Sequence, residues 1–466
     1  MKILLLKPIS DVYYVIQPNL GLGYLASIME EKHHEVQILD SGKESLTWKK
    51  FSDIVKQGRF DIIGIQMFTH EVLSVKKHIE IIKKVSPETM IIVGGAHVSG
   101  DPVGTMDFMK DLDFGFVGEA EIGMEKFFEL KKKDYKNADL LKKIPNLVWR
   151  NNDKVEINKK ECHEQLDLIK FPAWHLMKPS EYPVAPHGNF CKKSPVAPMI
   201  ISRGCPFQCT FCAGKAVTGP RLRYRSLGNV IKELMILYDK YKVREIHIED
   251  DNFTMKRDYV EAFCNEIINR KLDLAFALPN GVRLDTLDKE LLELMEKAGF
   301  YSMGVGIESG SNRILKLMKK SLSKEKVREK IELIKKYTHI DITGFFLMGY
   351  PSETEEEIKE TIEFAKSLNI DKASFMFLMP LPGSELWNLY TQKMGHDIPW
   401  ENFFYYRIVP GLATVSAEKL RKLQRRAMRQ FYLRPKIMLG LAKEIKTYSQ
   451  VKIIAKRFTN IFLKKS

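Results

Sequence analysis

The chain has 466 residues, enough for two or three domains with their own cores, and its 44% hydrophobic content is ordinary for a globular protein. No run of about 18 uncharged apolar residues is available to span a membrane, and Met1-Lys2 leads straight into a strand-like segment instead of a signal peptide. The six cysteines, three clustered and three scattered, exclude a disulfide framework and indicate a reducing cytoplasm, while the net charge of +15 is concentrated in a tail from Ala417 to Ser466 that holds 15 Lys and Arg against two acids.

Strands and helices alternate through the N-terminal third. Lys2 to Leu6, Glu35 to Leu39, Ile62 to Gln66, Met90 to Val93 and Phe114 to Val117 read as short buried strands. Helices are expected over Gly21 to Glu31 and Leu73 to Val85. This spacing predicts an α/β fold with a doubly wound parallel (Rossmann/flavodoxin-like) sheet, which binds ligands beyond the carboxyl ends of its strands. Two strand ends stand out there. Gly94 and Gly95 follow the fourth strand and bare its backbone to a large ligand, and Gly118-Glu119 follows the fifth. A looser stretch comes next, with a hairpin at Leu147–Arg150 and Val155–Ile157 and then a proline-punctuated connector.

After the apolar run Ala197 to Ile201 comes Ser-Arg-Gly-Cys205-Pro-Phe-Gln-Cys209-Thr-Phe-Cys212. A loop this short can turn three thiolates toward one point. Three thiolates on a cubane of four irons leave one iron open to a small molecule. A zinc knuckle would need a fourth Cys or His, and the nearest candidates are Cys191 and His187. Phe207 and Phe211 can shield the cluster from water. A second αβ series then runs to Leu378, with strands expected at Glu245–Glu249, Leu274–Ala277, Met303–Ile307, Ile342–Met348 and Ala373–Leu378. Thr354-x-x-Glu357 is a capping box that opens one of its helices. Polar and glycine-rich segments follow these strands: Asp250-Asp251-Asn252, Pro279 to Arg283, Gly304 to Gly310 with Glu308 and Ser309, and Gly349-Tyr350-Pro351.

The cysteine spacing, with these strand ends in register behind it, resembles the radical S-adenosylmethionine (SAM) superfamily over about residues 195 to 385. The resemblance implies a partial (β/α)6 TIM-type barrel, a [4Fe–4S] cluster held by Cys205, Cys209 and Cys212, and SAM contacted by Phe211, Asp250, Glu308, Ser309, Gly349, Tyr350 and Pro351. Arg203, beside the first cysteine, is expected to position backbone or cofactor. The implied chemistry is reductive cleavage of SAM to a 5′-deoxyadenosyl radical, with electrons from a donor such as flavodoxin or ferredoxin. The first 140 residues resemble the cobalamin-binding domain that precedes many such cores, which implies cobalamin near Gly94, Gly95, Gly118 and Glu119. The Asp-x-His-x-x-Gly motif that ligates cobalt from below is missing; Ser10-Asp11-Val12-Tyr13-Tyr14 stands in its place.

The expected organisation is a cobalamin-binding-like domain over 1–135, a linker over 136–194, a barrel over 195–390 and a basic helical extension over 391–466. The leading function is cobalamin-dependent methylation of an unactivated carbon. Radical cyclisation or rearrangement without methyl transfer, and a non-enzymatic cobalamin or redox sensor, are the alternatives. In the tail, Ile454, Phe458, Ile461 and Phe462 share one helical face among lysines and arginines, with a similar face at Leu441 and Ile445. Such a helix can lie on an anionic membrane surface from the cytoplasmic side, or pack on the barrel. The partners expected are therefore the electron donor and a small-molecule or lipid-like substrate, with nucleic acid disfavoured.

Overall fold

The computed structural model describes residues 1–10, 16–183, 191–395, 397–444 and 451. The tail positions Ile445, Ile454, Phe458, Ile461 and Phe462 lie outside the described residues. In the first sheet, β1 (Lys2–Lys7), β2 (Glu35–Asp40), β3 (Ile62–Gln66), β4 (Met90–Gly94) and β5 (Phe114–Phe116) are parallel. The strand order is β2-β1-β3-β4-β5, continued by β6 (Leu147–Asn151) and β7 (Lys154–Ile157). Side chains alternate between two cores. Leu4, Leu6, Ile63, Ile65, Ile91 and Val93 pack on one face, and Ile3, Leu5, Ile62 and Ile92 on the other. Both faces are therefore dry, as a doubly wound sheet requires. The chain reverses its winding between β1 and β3, which places the ligand crevice at their carboxyl ends.

The hairpin expected in the linker is β6–β7. It pairs antiparallel with β5 and caps the edge of the first sheet, so that sheet reaches Ile157, beyond the boundary at 135. Its pairing partner lies some 30 residues upstream in sequence, and only tertiary register reveals it.

The second sheet has six parallel strands in the order β15-β14-β13-β12-β11-β8, all in chain sequence, which is the partial barrel. These are β8 (Val196–Met199), β11 (Glu245–Ile248), β12 (Ala275–Val282), β13 (Phe300–Glu308), β14 (Asp341–Met348) and β15 (Lys372–Phe377). A two-stranded ribbon, β9 (Ser202–Arg203) with β10 (Arg223–Tyr224), brackets the cysteine loop. Pro279 to Val282, expected as a loop, instead continues β12 through a register shift between Leu278 and Val282, where Gly281 takes a φ of 97°.

The Ala417–Tyr432 helix buries Leu420, Leu423, Ala427 and Phe431 against the barrel, while Arg421, Lys422 and Arg426 face solvent. Gln424 Nε2 donates to the Phe375 carbonyl at 2.8 Å and Tyr432 Oη to that of Ala373 at 2.8 Å, so this basic helix is fixed to β15. Among the described residues, no helix is long and apolar enough to cross a membrane.

Candidate active site

The cysteine loop leaves β9 through Gly204, whose φ is 97°. A Cβ at that position would collide with the Arg221 carbonyl oxygen, so glycine is required to start the turn. Thr210 then anchors the loop: its N–H donates to the Met318 carbonyl at 3.1 Å and its hydroxyl meets Tyr350 Oη at 2.9 Å. The Leu386 N–H donates back to the Thr210 carbonyl at 3.1 Å. Beside this anchor, Phe211 packs on Ile314, Met318, Leu347, Tyr350, Leu378 and Leu386. The guanidinium of Arg283 lies 3.5 Å from the centroid of the Phe207 ring. Burial pushes the Cys209 and Cys212 thiols up, so their thiolates form when a cation takes them. Three soft donors on one anchored loop fit a cuboidal iron–sulfur cluster with one open iron.

Around the loop, Glu308 ends β13 with a φ of 65°, and its carboxylate lies 2.8 Å from Lys320 Nζ. Both side chains are largely buried, at 8% and 13% exposed, so the pair is little screened. Burial alone would push the Lys320 ammonium down; Glu308 outweighs it and leaves it above its ordinary value. Gly306 makes this pair sterically feasible, since a Cβ there would meet both charged groups. Gly349 has a φ of 86°, and its N–H and that of Tyr350 donate to Glu353 Oε2 at 2.7 and 3.2 Å. Burial raises the Glu353 carboxyl to about 7, and its second oxygen has no hydrogen-bond partner. Pro351, half-buried, follows in the same turn.

Three expected ligand contacts face elsewhere. Asp250 is 2% exposed and accepts from Ile201 N at 2.7 Å, Ser202 N at 2.8 Å and Ser202 Oγ at 2.6 Å. Its carboxylate ties the end of β8 into the cysteine loop, and burial raises it to about 7 despite those donors. Ser309 is fully buried against Thr361, with its hydroxyl 3.2 Å from Thr361 Oγ1. Glu119, expected by the cobalamin crevice, is held by two arginines. It accepts from Arg203 Nη1 at 2.8 Å and pairs with Arg223, while Arg203 Nη2 meets Glu121 at 2.8 Å. Arg203 also lies over the Tyr24 ring, 5.2 Å from its centroid. Arg203 thus locks the cysteine loop to the end of β5 through these carboxylate side chains.

The same junction brings the two sheets' ligand-facing ends together. The Ala96–Gly100 turn after β4 packs against the Gly214–Val217 turn that follows Cys212. Gly100 abuts the Pro382 carbonyl, and Gly383 abuts Ala216, with no room for a Cβ at either glycine. At the end of β4, a Cβ on Gly94 would make only an ordinary contact, with the Phe116 carbonyl oxygen at 3.8 Å, and one on Gly118 would make ordinary contacts from 3.5 Å. Gly95 differs, because its missing Cβ would press on Met67. His97 is buried, 3.3 Å from Thr69 Oγ1 and edge-on to Trp400.

Lys320, Glu353, Glu121 and Arg223 escaped the sequence reading because no spacing rule links them to the cysteines.

Comparison with known proteins agrees with this geometry. Residues 199–365 match the radical SAM superfamily model and residues 6–128 the B12 binding domain model. An uncharacterized methyltransferase of Pyrococcus horikoshii, PH0819, is 31% identical over 446 residues, covering 94% of each chain. The chain belongs to the radical SAM superfamily. This radical SAM chain is also 30% identical to the cytidylyl-2-hydroxyethylphosphonate methyltransferase of Streptomyces wedmorensis, over 83% of its own length and 80% of that protein. In fold it resembles the radical SAM methyltransferase TsrM of Kitasatospora setae, solved with cobalamin and a [4Fe–4S] cluster. The TM-score is 0.68 at 17% identity, over 84% of this chain and 78% of that one. The family's [4Fe–4S] cluster and SAM go with the matched radical SAM domain, and cobalamin with the matched B12 binding domain.

Proposed function

We propose that this radical SAM chain methylates an unactivated carbon of a small-molecule substrate held between its two sheets. When bound, the cluster and SAM supply one-electron cleavage of a carbon–sulfur bond, and cobalamin supplies a carrier for the methyl group. The observation that carries the proposal is the junction, where the turn after β4 lies directly against the turn after Cys212. A crevice for the carrier and a loop for the cluster then open onto one space.

Within that space each residue has a defined task. Cys205, Cys209 and Cys212 hold the cluster. The Glu308–Lys320 pair offers both charges that an α-amino acid headgroup presents, at a site little screened by water. Gly349, Tyr350 and Pro351, held by Glu353, form a backbone edge for the adenine. Gly94 and Gly118 give way to the corrin. Arg203, Glu119 and Glu121 keep the two ligand sites in register.

Anaerobic purification tests this. We expect about four irons per chain, a bound corrinoid visible in the absorption spectrum, and loss of the iron alone when the three cysteines become Ala. Cleavage of SAM without methyl incorporation into any product would instead favour cyclisation or rearrangement. The reading also extends to a lipid-like substrate. Leu433, Met438 and Leu439, at 48%, 49% and 64% exposed, lie beside Lys436 and Lys443 and form an apolar, cationic surface suited to an anionic membrane. Co-sedimentation with phosphatidylglycerol vesicles that survives Met438→Glu/Leu439→Glu unchanged would remove that extension.

A further inference from the structure

The interior of the barrel holds a second set of soft and hard donors, remote from the cysteine loop. Glu245 and His247 alternate along β11 on the face opposite Ile246 and Ile248, which pack in the main apolar core. Their register partners on β12 are Ala275 and Ala277, whose small side chains leave room above the strand. Across that room Tyr301, from β13, donates its hydroxyl to Glu245 Oε1 at 2.6 Å. The chain entering the barrel crosses the same space: Lys193 N–H donates to Glu245 Oε2 at 2.6 Å, and Cys191 turns its thiol inward. The donor atoms of Cys191, Glu245 and His247 all lie within 4.8 Å of one another, with His247 Nε2 2.8 Å from Glu245 Oε1.

This arrangement is poorly balanced as it stands. Glu245 is fully buried, and among the described residues no Lys or Arg side chain lies within 4.0 Å of its carboxylate; His247 Nε2 is its hydrogen-bond partner. A buried carboxylate needs a compensating charge. Burial and the Glu245 charge also push the Cys191 thiol far up, so it has no reason to ionise alone.

We propose that Cys191, Glu245 and His247 bind a divalent cation, Zn²⁺ by their chemistry, at the amino-terminal end of the barrel. One thiolate, one carboxylate and one neutral imidazole around a dication sum to zero charge, which burial tolerates. Binding displaces the thiol proton to solvent, and the Nε2 proton of the neutral imidazole moves to Nδ1 as the metal takes Nε2. Donor atoms around tetrahedral zinc stand roughly 3.3–3.6 Å apart, so side-chain rotation opens the 2.8 Å His247–Glu245 pair and draws in the longer spacings, none above 4.8 Å. The Lys193 N–H and the Tyr301 hydroxyl then orient the carboxylate, as outer hydrogen bonds do at built metal sites. The fourth position is left to water.

The site is separate from the cluster. Glu245 opens β11, and the strand runs on to Ile248, roughly 10 Å further along it, before the chain reaches Asp251, which hydrogen-bonds Thr218 beside the cysteine loop. In barrels of this type the amino-terminal end serves stability and the carboxyl end chemistry. The cation's work is structural: it pins the incoming chain to β11 just before β8, the strand that delivers the cysteine loop.

The test uses full-length protein with Cys205, Cys209 and Cys212 changed to Ala, so that cluster thiols cannot take the ion. Titration with Zn²⁺ against a chromophoric chelator should give one ion per chain, and Cys191→Ser or His247→Gln should weaken it at least about tenfold. Co²⁺ in place of Zn²⁺ should give a near-ultraviolet thiolate-to-cobalt band that Cys191→Ser abolishes. The cluster-loaded wild type needs no variant: Zn²⁺ should slow alkylation of Cys191, read by mass spectrometry. Substoichiometric binding, affinity indifferent to both substitutions, or alkylation of Cys191 unchanged by Zn²⁺ would overturn the proposal.

Discussion

Arg203→Met is the sharpest test of how the two sheets are joined. The guanidinium is 9% exposed and bridges Glu119 and Glu121, themselves 5% and 7% exposed, so the methionine keeps the bulk and removes the charge. Glu119 retains Arg223, but Glu121 loses its ion-pair partner. Breaking a buried pair from one side costs about 3–5 kcal/mol. At about 2–4 °C per kcal/mol for a domain of this size, the melting midpoint should fall by roughly 6–20 °C at pH 8. The sign with pH is also fixed. Burial pushes the Glu121 carboxyl up, but Arg203 outweighs it and holds the group below its ordinary value. The wild type therefore gains stability above the ordinary carboxylate range and loses it as pH falls through the depressed value. In the variant burial is opposed only by the Glu121 backbone N–H and by His163, so the carboxyl rises and protonation relieves it. The gap between variant and wild type should narrow from pH 8 to pH 5 in anaerobic calorimetry, and adding Glu121→Gln should recover much of the loss. A gap that is equal at both pH values, or smaller than about 2 °C, would refute the reasoning.

Gly204→Ala should strain the turn by about 1–3 kcal/mol and lower the iron retained after reconstitution, because a Cβ there meets the Arg221 carbonyl. Glu308→Gln removes the counter-charge of Lys320 and should raise the KM for SAM about 10–100-fold, read by 5′-deoxyadenosine release, with iron content unchanged. Glu353 is raised to about 7, so the wild-type protein binds an extra proton in its folded state between the ordinary carboxylate value and pH 7 and loses stability as pH rises through that window. Glu353→Gln should consequently look better by on the order of 3 kcal/mol at pH 8 than at pH 5 in cofactor-free denaturant melts; a pH-independent difference would sink that account.

Much of this architecture is legible from periodicity, because buried parallel strands are short apolar runs and their helices fall between them. The cysteine loop is legible as well, since its chemistry is local in sequence. What failed depended on direction and distance. Asp250 ends a strand, as a ligand-binding carboxylate would, yet three donors from Ile201 and Ser202 turn it back into the scaffold. Glu119 follows its glycine as expected, but Arg203 and Arg223, more than 80 residues away, claim its oxygens. The hairpin was found, but not the sheet it completes. In the basic tail, the charges were visible while the apolar stripe Leu420, Leu423, Ala427 and Phe431, which fixes the Ala417–Tyr432 helix to β15, passed unnoticed.

Gly100, Gly383 and Ala216 meet where the first sheet touches the barrel, and the two glycines have no room there for one more carbon. The gap between the two cofactor sites is therefore set by missing atoms. A single methyl at Gly100 would act as a shim, tilting one half of the protein off the other. In the methyl transfer proposed above, the carrier and the cluster must both reach one substrate, so these bare positions act as the gauge of that reaction.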